Sequence, residues 1–504
     1  MSKLKKMILP GVVFLTGGSV LVLEVAATRI LSPYFGNTIY TVSSIIGVIL
    51  MALSLGYYFG GRLADQRASL GWFYGIILVS GLTVIILEAM IILVLPFLGH
   101  WLSLIYGPLI ASFILFFIPA LLLGMLSPYA IKLQHQAFPV LGIGRVSGTI
   151  FFWSTLGSIA GSLLTGFVFI PNFGVDKIII GVGLLLVTIG LLPLLKNGIK
   201  IKYFFLIFLI GIFLAIEFVV LQFNAGGSVY ARDGVYEKLL IFDGQYNGRP
   251  ARFFQQDRSH AAARYLDGEE LVYDYTKYYV WYKVLKPLAK TALVIGGGAY
   301  SIPKALLEDP ALETVEVAEI EPSLFELGKK YFRVPSDDRL KNRVVDGRRL
   351  LFDSPNKFDL IFSDVYYSLY SVPVHFTTEE FFTLAKSKLN LSGIFMANLI
   401  GKLDSRPPSL IFSEMKTFRA VFPNSYFFAV QTPESKQAQN IIFLGYNRDQ
   451  AIDFSAAAVV NHPDPIIRQA VSKLIDLTKI DFSLYAKLTD NYAPVEYLTA
   501  KVLN

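Results

Sequence analysis

The sequence predicts an α-helical transmembrane bundle of about seven helices, followed by an α/β domain with a small β-sheet ahead of it. Three observations predict this. From Leu9 to about Phe223 the chain is a series of long apolar runs broken by short polar links. After Asn224 the composition turns charged and tyrosine-rich. Finally, Thr291–Ala299, TALVIGGGA, is a buried-strand pattern running into Gly296, Gly297 and Gly298, with a helix-like segment at Pro303–Glu308 close behind. A strand ending in glycines lets a ligand approach the backbone, so the second half is Rossmann-like.

Bulk composition agrees. Of 504 residues, 54% are hydrophobic and only 16% charged, whereas an ordinary soluble domain is roughly 25% charged. A transmembrane domain at 1–223, a lead-in of sheet and helix at 224–290 and a Rossmann-like core at 291–504 are expected. The net charge of +7 points to topology and anionic lipid rather than to nucleic acid. With no cysteine, disulfides, thiolate metal sites and cysteine nucleophiles are excluded, and no metal is expected.

A helix needs about 20 apolar residues to cross the hydrocarbon. Seven runs qualify: Leu9–Leu31, Thr38–Gly61, Trp72–Leu95, Leu102–Leu133, Val146–Ile170, Lys177–Leu195 and Lys202–Phe223. The fourth is overlong and holds Pro108, Pro119 and Pro128, which predicts a kink or a re-entrant turn. Lys and Arg gather before the first run and in the even links, while the odd links Ser32–Asn37, Pro96–Trp101 and Pro171–Asp176 have none. A multi-pass protein of the cell membrane with a cytoplasmic N-terminus follows. Seven crossings would leave the C-terminal half outside; one fewer would keep it in the cytoplasm. Glu24, Arg29, Glu88 and Glu217 lie within runs, where ionisable groups face a bundle interior and pair, or mark a substrate path. Gly157, Gly161 and Gly166 suit close helix packing. Gly60–Arg67, GGRLADQR, resembles the loop between the second and third helices of major facilitator transporters, where Asp and Arg brace helix ends.

In the second half, Val235–Asp243, Ala251–Gln255 and Ala261–Leu266 alternate between turn-forming DGQYNGRP and QDRS, which predicts a small antiparallel sheet. Leu271–Leu285 is a predicted helix rich in tyrosines, Tyr275 among them. Past the glycines come a strand at Thr314–Ile320 carrying Glu319, a helix at Pro322–Tyr331 opened by Pro322, and a short strand at Arg343–Val345 ending at Asp346-Gly347. A strand at Phe358–Ser363 then ends at Asp364, followed by a helix at Thr378–Lys388, a strand at Gly393–Leu399 and a hairpin of Tyr426–Gln431 and Asn440–Tyr446. This rhythm gives a mostly parallel sheet with an antiparallel edge. Ligands on such sheets bind beyond the carboxyl ends of the strands. That rule gathers Gly296–Gly298, Glu319, Asp346 and Asp364 at one crevice. Glu319 lies about 20 residues past the glycines, the spacing of a ribose-binding acid. Asp346 can accept from an adenine amino group, and Asp364 can hold an amine and accept its proton. Tyr366, Tyr367 and Tyr370 sit in a loop suited to closing over substrate.

Six ordered pieces then carry a family resemblance: VIGGG at 294–298, AEIEP at 318–322, VVDGRRLL at 344–351, FDLIFSD at 358–364, VPVHFTTEEFF at 372–382 and TDNYAPVE at 489–496. Residues from about 235 to 500 resemble the polyamine aminopropyltransferase (spermidine synthase) family, in its membrane-fused branch. The resemblance implies a class I methyltransferase/spermidine synthase-type domain. It also implies transfer of an aminopropyl group from decarboxylated S-adenosylmethionine to an amine such as putrescine, with release of methylthioadenosine. By match, Gly296, Gly297, Gly298, Glu319, Asp346 and Gly347 bind the nucleoside and Asp364 is the proton acceptor. Tyr236, Glu237, Tyr275, Tyr366 and Tyr367 are candidates for binding the amine, and a homodimer is implied.

Three positions depart from the family pattern. Ala299 stands where the family has an Asp for the donor's amine, Tyr236-Glu237 stands for a Tyr-Gln pair, and no second Asp follows near Tyr366–Ser368. Losing the first Asp removes a charged hydrogen bond worth roughly 1.5–3 kcal/mol, about ten- to a hundredfold in affinity. Ordinary S-adenosylmethionine is therefore an alternative donor, with methyl or aminocarboxypropyl transfer as the alternative chemistry. A non-catalytic nucleoside- or polyamine-binding domain on a transporter-like bundle is the third reading.

Overall fold

The computed structural model describes residues 3–196, 227–366, 372–404 and 406–503, and the chain divides into two compact units at Gly226/Gly227.

In the first unit, six helical segments among the described residues are long and apolar enough to cross a membrane: Met7–Phe35, Ile39–Gln66, Leu70–Leu93, Gly107–Ala137, Ile143–Phe173 and Val175–Leu194. The seventh expected run, Lys202–Phe223, and Glu217 within it lie outside the described residues. The proline-bearing fourth run is two helices, Gly107–Gly124 and Leu126–Ala137, separated at Met125. Small residues allow the helix backbones to approach one another. A Cβ on Gly157 would lie 1.9 Å from the Phe14 carbonyl oxygen, and one on Gly161 would lie 2.4 Å from that of Gly18. Gly166 differs from the packing expectation: it faces open space in a π-helical turn, Thr165–Phe169. Glu88 is buried, while Glu24 and Arg29 are half-buried. Asp65 pairs with Lys132 at 2.7 Å, so the GGRLADQR segment is braced to the helix of the fourth run.

The second unit opens with a four-stranded antiparallel sheet: β1 (Ser228–Asp233), β2 (Lys238–Tyr246), β3 (Arg249–Gln256) and β4 (Ser259–Tyr265). Only Asn247-Gly248 turns between β2 and β3, with φ of 50° and 78°. This pair is the two-residue hairpin turn that favours positive φ, so the DGQYNGRP link is shorter than expected. The expected helix at Leu271–Leu285 is instead a 3-10 helix, Asp274–Trp281, followed by one α-turn, Tyr282–Leu285. Tyr278, Tyr279, Val280, Trp281 and Tyr282 are all buried in succession. Burial on every side removes the amphipathic period on which the sequence reading relied.

The core is a seven-stranded sheet in the order β10-β11-β9-β8-β5-β6-β7. Its strands are β5 (Thr291–Ile295), β6 (Thr314–Glu319), β7 (Leu340–Val344), β8 (Phe358–Ser363), β9 (Leu389–Lys402), β10 (Ser425–Ala429) and β11 (Ala438–Tyr446). β11 is antiparallel to both β9 and β10 and lies between them, so the antiparallel strand is interior rather than at the edge. Every residue of β8 is buried, as a strand covered on both faces requires. Its Asp359 accepts from the backbone N–H groups of Lys290 (2.8 Å) and Thr291 (3.2 Å), which ties β8 to the start of β5.

Five helices matter for the site: α1 (Ser301–Leu307), α2 (Leu324–Phe332), α3 (Gly347–Asp353), α4 (Glu379–Ser387) and α5 (Leu410–Val421). Pro322 precedes α2 instead of opening it, and Glu321 accepts from the Ser323 hydroxyl at 2.8 Å just before the first turn. The sequence reading did not find α5.

Candidate active site

The carboxyl ends of β5, β6 and β8 and the segment after β7 open into a cavity of about 470 Å³ in the second unit, within the size range of small-molecule sites. Gly296–Gly298, Glu319, Asp346, Gly347, Asp364, Glu237, Tyr275 and Tyr366 all line it. The crevice expected from strand polarity therefore forms. Tyr236 does not line the cavity: its side chain is 42% exposed and its N–H donates to Glu321 Oε2 at 3.1 Å. This bond holds the turn that presents the neighbouring Glu237 inward. Tyr367 and Tyr370 lie outside the described residues.

Backbone geometry brings the acids together. Gly296 has φ +88°, and a Cβ there would lie 2.2 Å from the Asp364 carbonyl oxygen, so only glycine lets these two strand ends close up. Gly347 meets the same demand, since a Cβ would lie 2.0 Å from Ile295 Cγ2. Glu319 is buried and accepts from Gly297 N–H (2.7 Å) through Oε2 and from Glu321 N–H (2.8 Å) through Oε1. Burial pushes its carboxyl above the usual range, against these donors and the N–H of Gly298. These three N–H groups take three of its roughly four lone-pair sites, which leaves one for a ligand hydroxyl.

Asp346 caps α3, accepting from Arg349 N–H at 2.9 Å. Its Oδ2 lies 3.0 Å from His375 Nε2. Burial acts to raise this carboxyl, but His375 and the Arg349 N–H outweigh it and hold Asp346 below the usual range. Arg348 fixes the His375 segment by donating to the His375 carbonyl at 3.1 Å and to both oxygens of Asp490 at 2.8 and 2.5 Å. The TDNYAPVE segment thus braces the rim without lining the cavity.

Asp364 follows β8 and accepts from Asn398 Nδ2 at 2.9 Å and from the Tyr275 hydroxyl. Asn440 in turn donates to Asn398 Oδ1 at 2.9 Å, which orients the amide. Burial pushes the Asp364 carboxyl up, against these two donors. An acceptor raised in this way binds a proton more readily than a solvated aspartate does. Tyr246, Phe253, His260 and Tyr273 form an aromatic wall on the lead-in sheet side. Ala299 also lines the cavity and is 3% exposed.

Sequence reasoning missed His375, Asn398 and Asn440. His375 lies within VPVHFTTEEFF, so its position carried a signal; Asn398 and Asn440 are single residues inside apolar strands and carried none. Among the described residues, no cluster of three or more His, Asp or Glu side chains is arranged to hold a metal.

Residues 282–456 match the spermine/spermidine synthase domain model. The polyamine aminopropyltransferase of Vibrio vulnificus (strain CMCP6) is 23% identical over 286 residues, covering 55% of this chain and 93% of that protein. Polyamine aminopropyltransferase 2 of Aquifex aeolicus (strain VF5) is 23% identical over 403 residues, 76% of this chain and 77% of that protein. That alignment is longer than the second unit, so it reaches into the apolar half. Among solved structures, a probable spermidine synthase from Corynebacterium glutamicum ATCC 13032 is 21% identical, covering 46% of this chain and 84% of that one, with a TM-score of 0.41.

Proposed function

We propose, proceeding from the chain's membership of a spermidine synthase-like family, that its second unit is a polyamine aminopropyltransferase anchored to a lipid bilayer by the first. The donor is decarboxylated S-adenosylmethionine and the acceptor an amine such as putrescine. The amine lone pair attacks the methylene next to the sulfonium, the C–S bond breaks with its electrons going to sulfur, and methylthioadenosine leaves. The amine proton passes to Asp364.

The observation that carries this reading is the convergence of Glu319, Asp346 and Asp364 on one cavity from strand ends far apart in sequence. In this reading Glu319 accepts from a ribose hydroxyl and Asp346 from the adenine amino group. The aromatic wall suits an alkylammonium through cation–π contact, and Glu237 supplies a carboxylate for a distal ammonium. A second reading rests on Ala299. With no carboxylate at this position, the cavity wall does not repel the carboxylate of S-adenosylmethionine, and methyl or aminocarboxypropyl transfer becomes the competing chemistry. Methyl transfer would leave S-adenosylhomocysteine instead of methylthioadenosine, and the mass added to the amine separates aminopropyl from aminocarboxypropyl transfer.

Bilayer anchoring makes its own prediction. The full chain is expected to stay with the membrane fraction through high-salt and alkaline carbonate washes, and release by carbonate would contradict a spanning bundle.

A further inference from the structure

Numbered in chain order, the six spans of the first unit pack chiefly as three pairs: first with fifth, second with fourth, third with sixth. Exchanging the first three spans for the last three leaves this pairing unchanged. The contacts repeat in the same way. A Cβ on Gly56 would lie 2.3 Å from the Leu121 carbonyl oxygen, and one on Gly60 would lie 2.4 Å from that of Met125. Gly157 and Gly161 of the fifth span meet the carbonyls of Phe14 and Gly18 of the first with the same step along each helix. The return contacts match too. A Cβ on Gly124 would lie 3.0 Å from the Leu53 carbonyl oxygen, and one on Gly17 would lie 2.5 Å from that of Ser154. Between the third and sixth spans the contact is its own counterpart. A Cβ on Gly81 would lie 2.9 Å from the Gly183 carbonyl oxygen, and one on Gly183 would lie 3.3 Å from that of Gly81. With three spans to each half, the second half crosses in the opposite sense. The first unit is thus an inverted repeat with a pseudo-two-fold axis beside Gly81 and Gly183. Repeats of this kind build carriers whose solute sites lie near the midplane between the halves.

The two halves differ in charge. Glu24 and Glu88 both belong to the first half, seven residues after Gly17 and Gly81 respectively. Residues seven apart share a helix face, so both acids sit on faces that meet the other half. The first and third spans cross in the same direction, which places each acid about 10 Å beyond its glycine toward the odd links. Glu88 is 1% exposed and Glu24 is half-buried. The second half has one acid only, Asp176, at the start of the sixth span. Arg29 sets one positive charge in the first span against these two negative ones. Ionisable groups at such depth are costly and mark solute paths. On the even-link side of the glycine contacts the halves are tied together. Asp65 of the second span pairs with Lys132 of the fourth at 2.7 Å, and the Tyr129 hydroxyl accepts from Ser69 N–H at 3.3 Å and donates to the Arg67 carbonyl. Asp65 is 72% exposed, and an exposed ion pair is weak enough to open.

We propose that the first unit is a carrier for a small organic cation of the alkylammonium class, held between the two halves by Glu24 and Glu88, with the Asp65–Lys132 pair closing the even-link side. This rests on the bilayer reading above and not on the transfer reaction. Backbone-to-backbone packing at the glycines leaves no interlocked side chains to stop one half from sliding on the other. The excess of acid over base on the facing surfaces selects a cation over an anion.

The test uses the full chain reconstituted in lipid vesicles without any nucleoside donor, so that uptake of labelled putrescine is read apart from transfer. Saturable uptake above that of protein-free vesicles is expected. Glu24→Gln and Glu88→Gln are each expected to lower it about tenfold, the loss of one charged contact, while nucleoside binding stays native. Uptake no faster than in protein-free vesicles, or native uptake by both variants, overturns the proposal. A chain that resists carbonate yet takes up no putrescine overturns the carrier alone and leaves the bilayer reading intact. Because the chain has no cysteine, a single introduced one reads the movement even should an acid variant fail to fold. Val13 is 1% exposed and lies one turn before Gly17, on the even-link side. Labelling of Val13→Cys by a membrane-impermeant maleimide is expected to change with putrescine and to rise about two- to fivefold when Asp65→Asn is added. A rate that neither change alters overturns the proposal.

Discussion

Asp364→Asn is expected to lower kcat by about 10²–10⁴-fold, the range for removing a general base, while the nucleoside binds within a few-fold of its native affinity. The amide has nearly the shape of the carboxylate, so packing around Gly296 and Asn398 survives. What it lacks is a basic oxygen to take the proton from the attacking nitrogen. The donors Asn398 and Tyr275 that hold the native carboxylate also fix which oxygen faces the cavity, so the variant tests proton acceptance more than geometry. The native enzyme should lose rate as pH falls through the folded-state pKa of Asp364. Burial places that pKa above the ordinary aspartate value, so the acid limb sits at higher pH than a solvated aspartate would give. Equal rates for native and Asp364→Asn protein, measured by stopped-time product analysis, would remove Asp364 from the chemistry.

The second large effect is at Glu319. Glu319→Ala removes the proposed ribose acceptor and leaves the N–H groups of Gly297 and Glu321, now bonded at 2.7 and 2.8 Å, without partners in a buried site. A charged hydrogen bond contributes roughly 1.5–3 kcal/mol, so about ten- to a hundredfold in nucleoside affinity should be lost. The melting temperature should also fall, because the glycine turn loses its anchor. Glu319→Gln keeps one acceptor oxygen and should lose far less. Calorimetry with methylthioadenosine reads both variants, and native affinity in Glu319→Ala would take the nucleoside away from this rim.

The site was legible in the sequence where a strand ended in a residue type with chemistry to do. Gly296 and Asp364 each followed an apolar run, Glu319 and Asp346 closed shorter strand patterns, and strand polarity placed the four together. Gly347 was legible through its neighbour Asp346, and the contact with Ile295 shows why no larger residue fits. Illegible were the residues whose role comes from cross-strand neighbours. Asn398 and Asn440 meet only because the second strand of the edge hairpin, β11, is the one that pairs with β9, a choice the sequence pattern left open. α5 escaped because its buried face includes Ser413, Glu414 and Thr417, which break the apolar period a surface helix shows. Tyr236 was misplaced because adjacent residues in a turn point in different directions, and here Glu237 takes the inward one. In the first unit, run length and proline placement were enough to locate six apolar helices and the break near Met125.

The most direct test of a shared nucleoside-and-amine cavity is to incubate the purified full chain with decarboxylated S-adenosylmethionine and putrescine and to quantify both products by mass. Methylthioadenosine and an aminopropylated amine in one-to-one amounts, both lost in Asp364→Asn, are the predicted result. Nucleoside turnover that leaves the amine unchanged, or equal product from the variant, would contradict it.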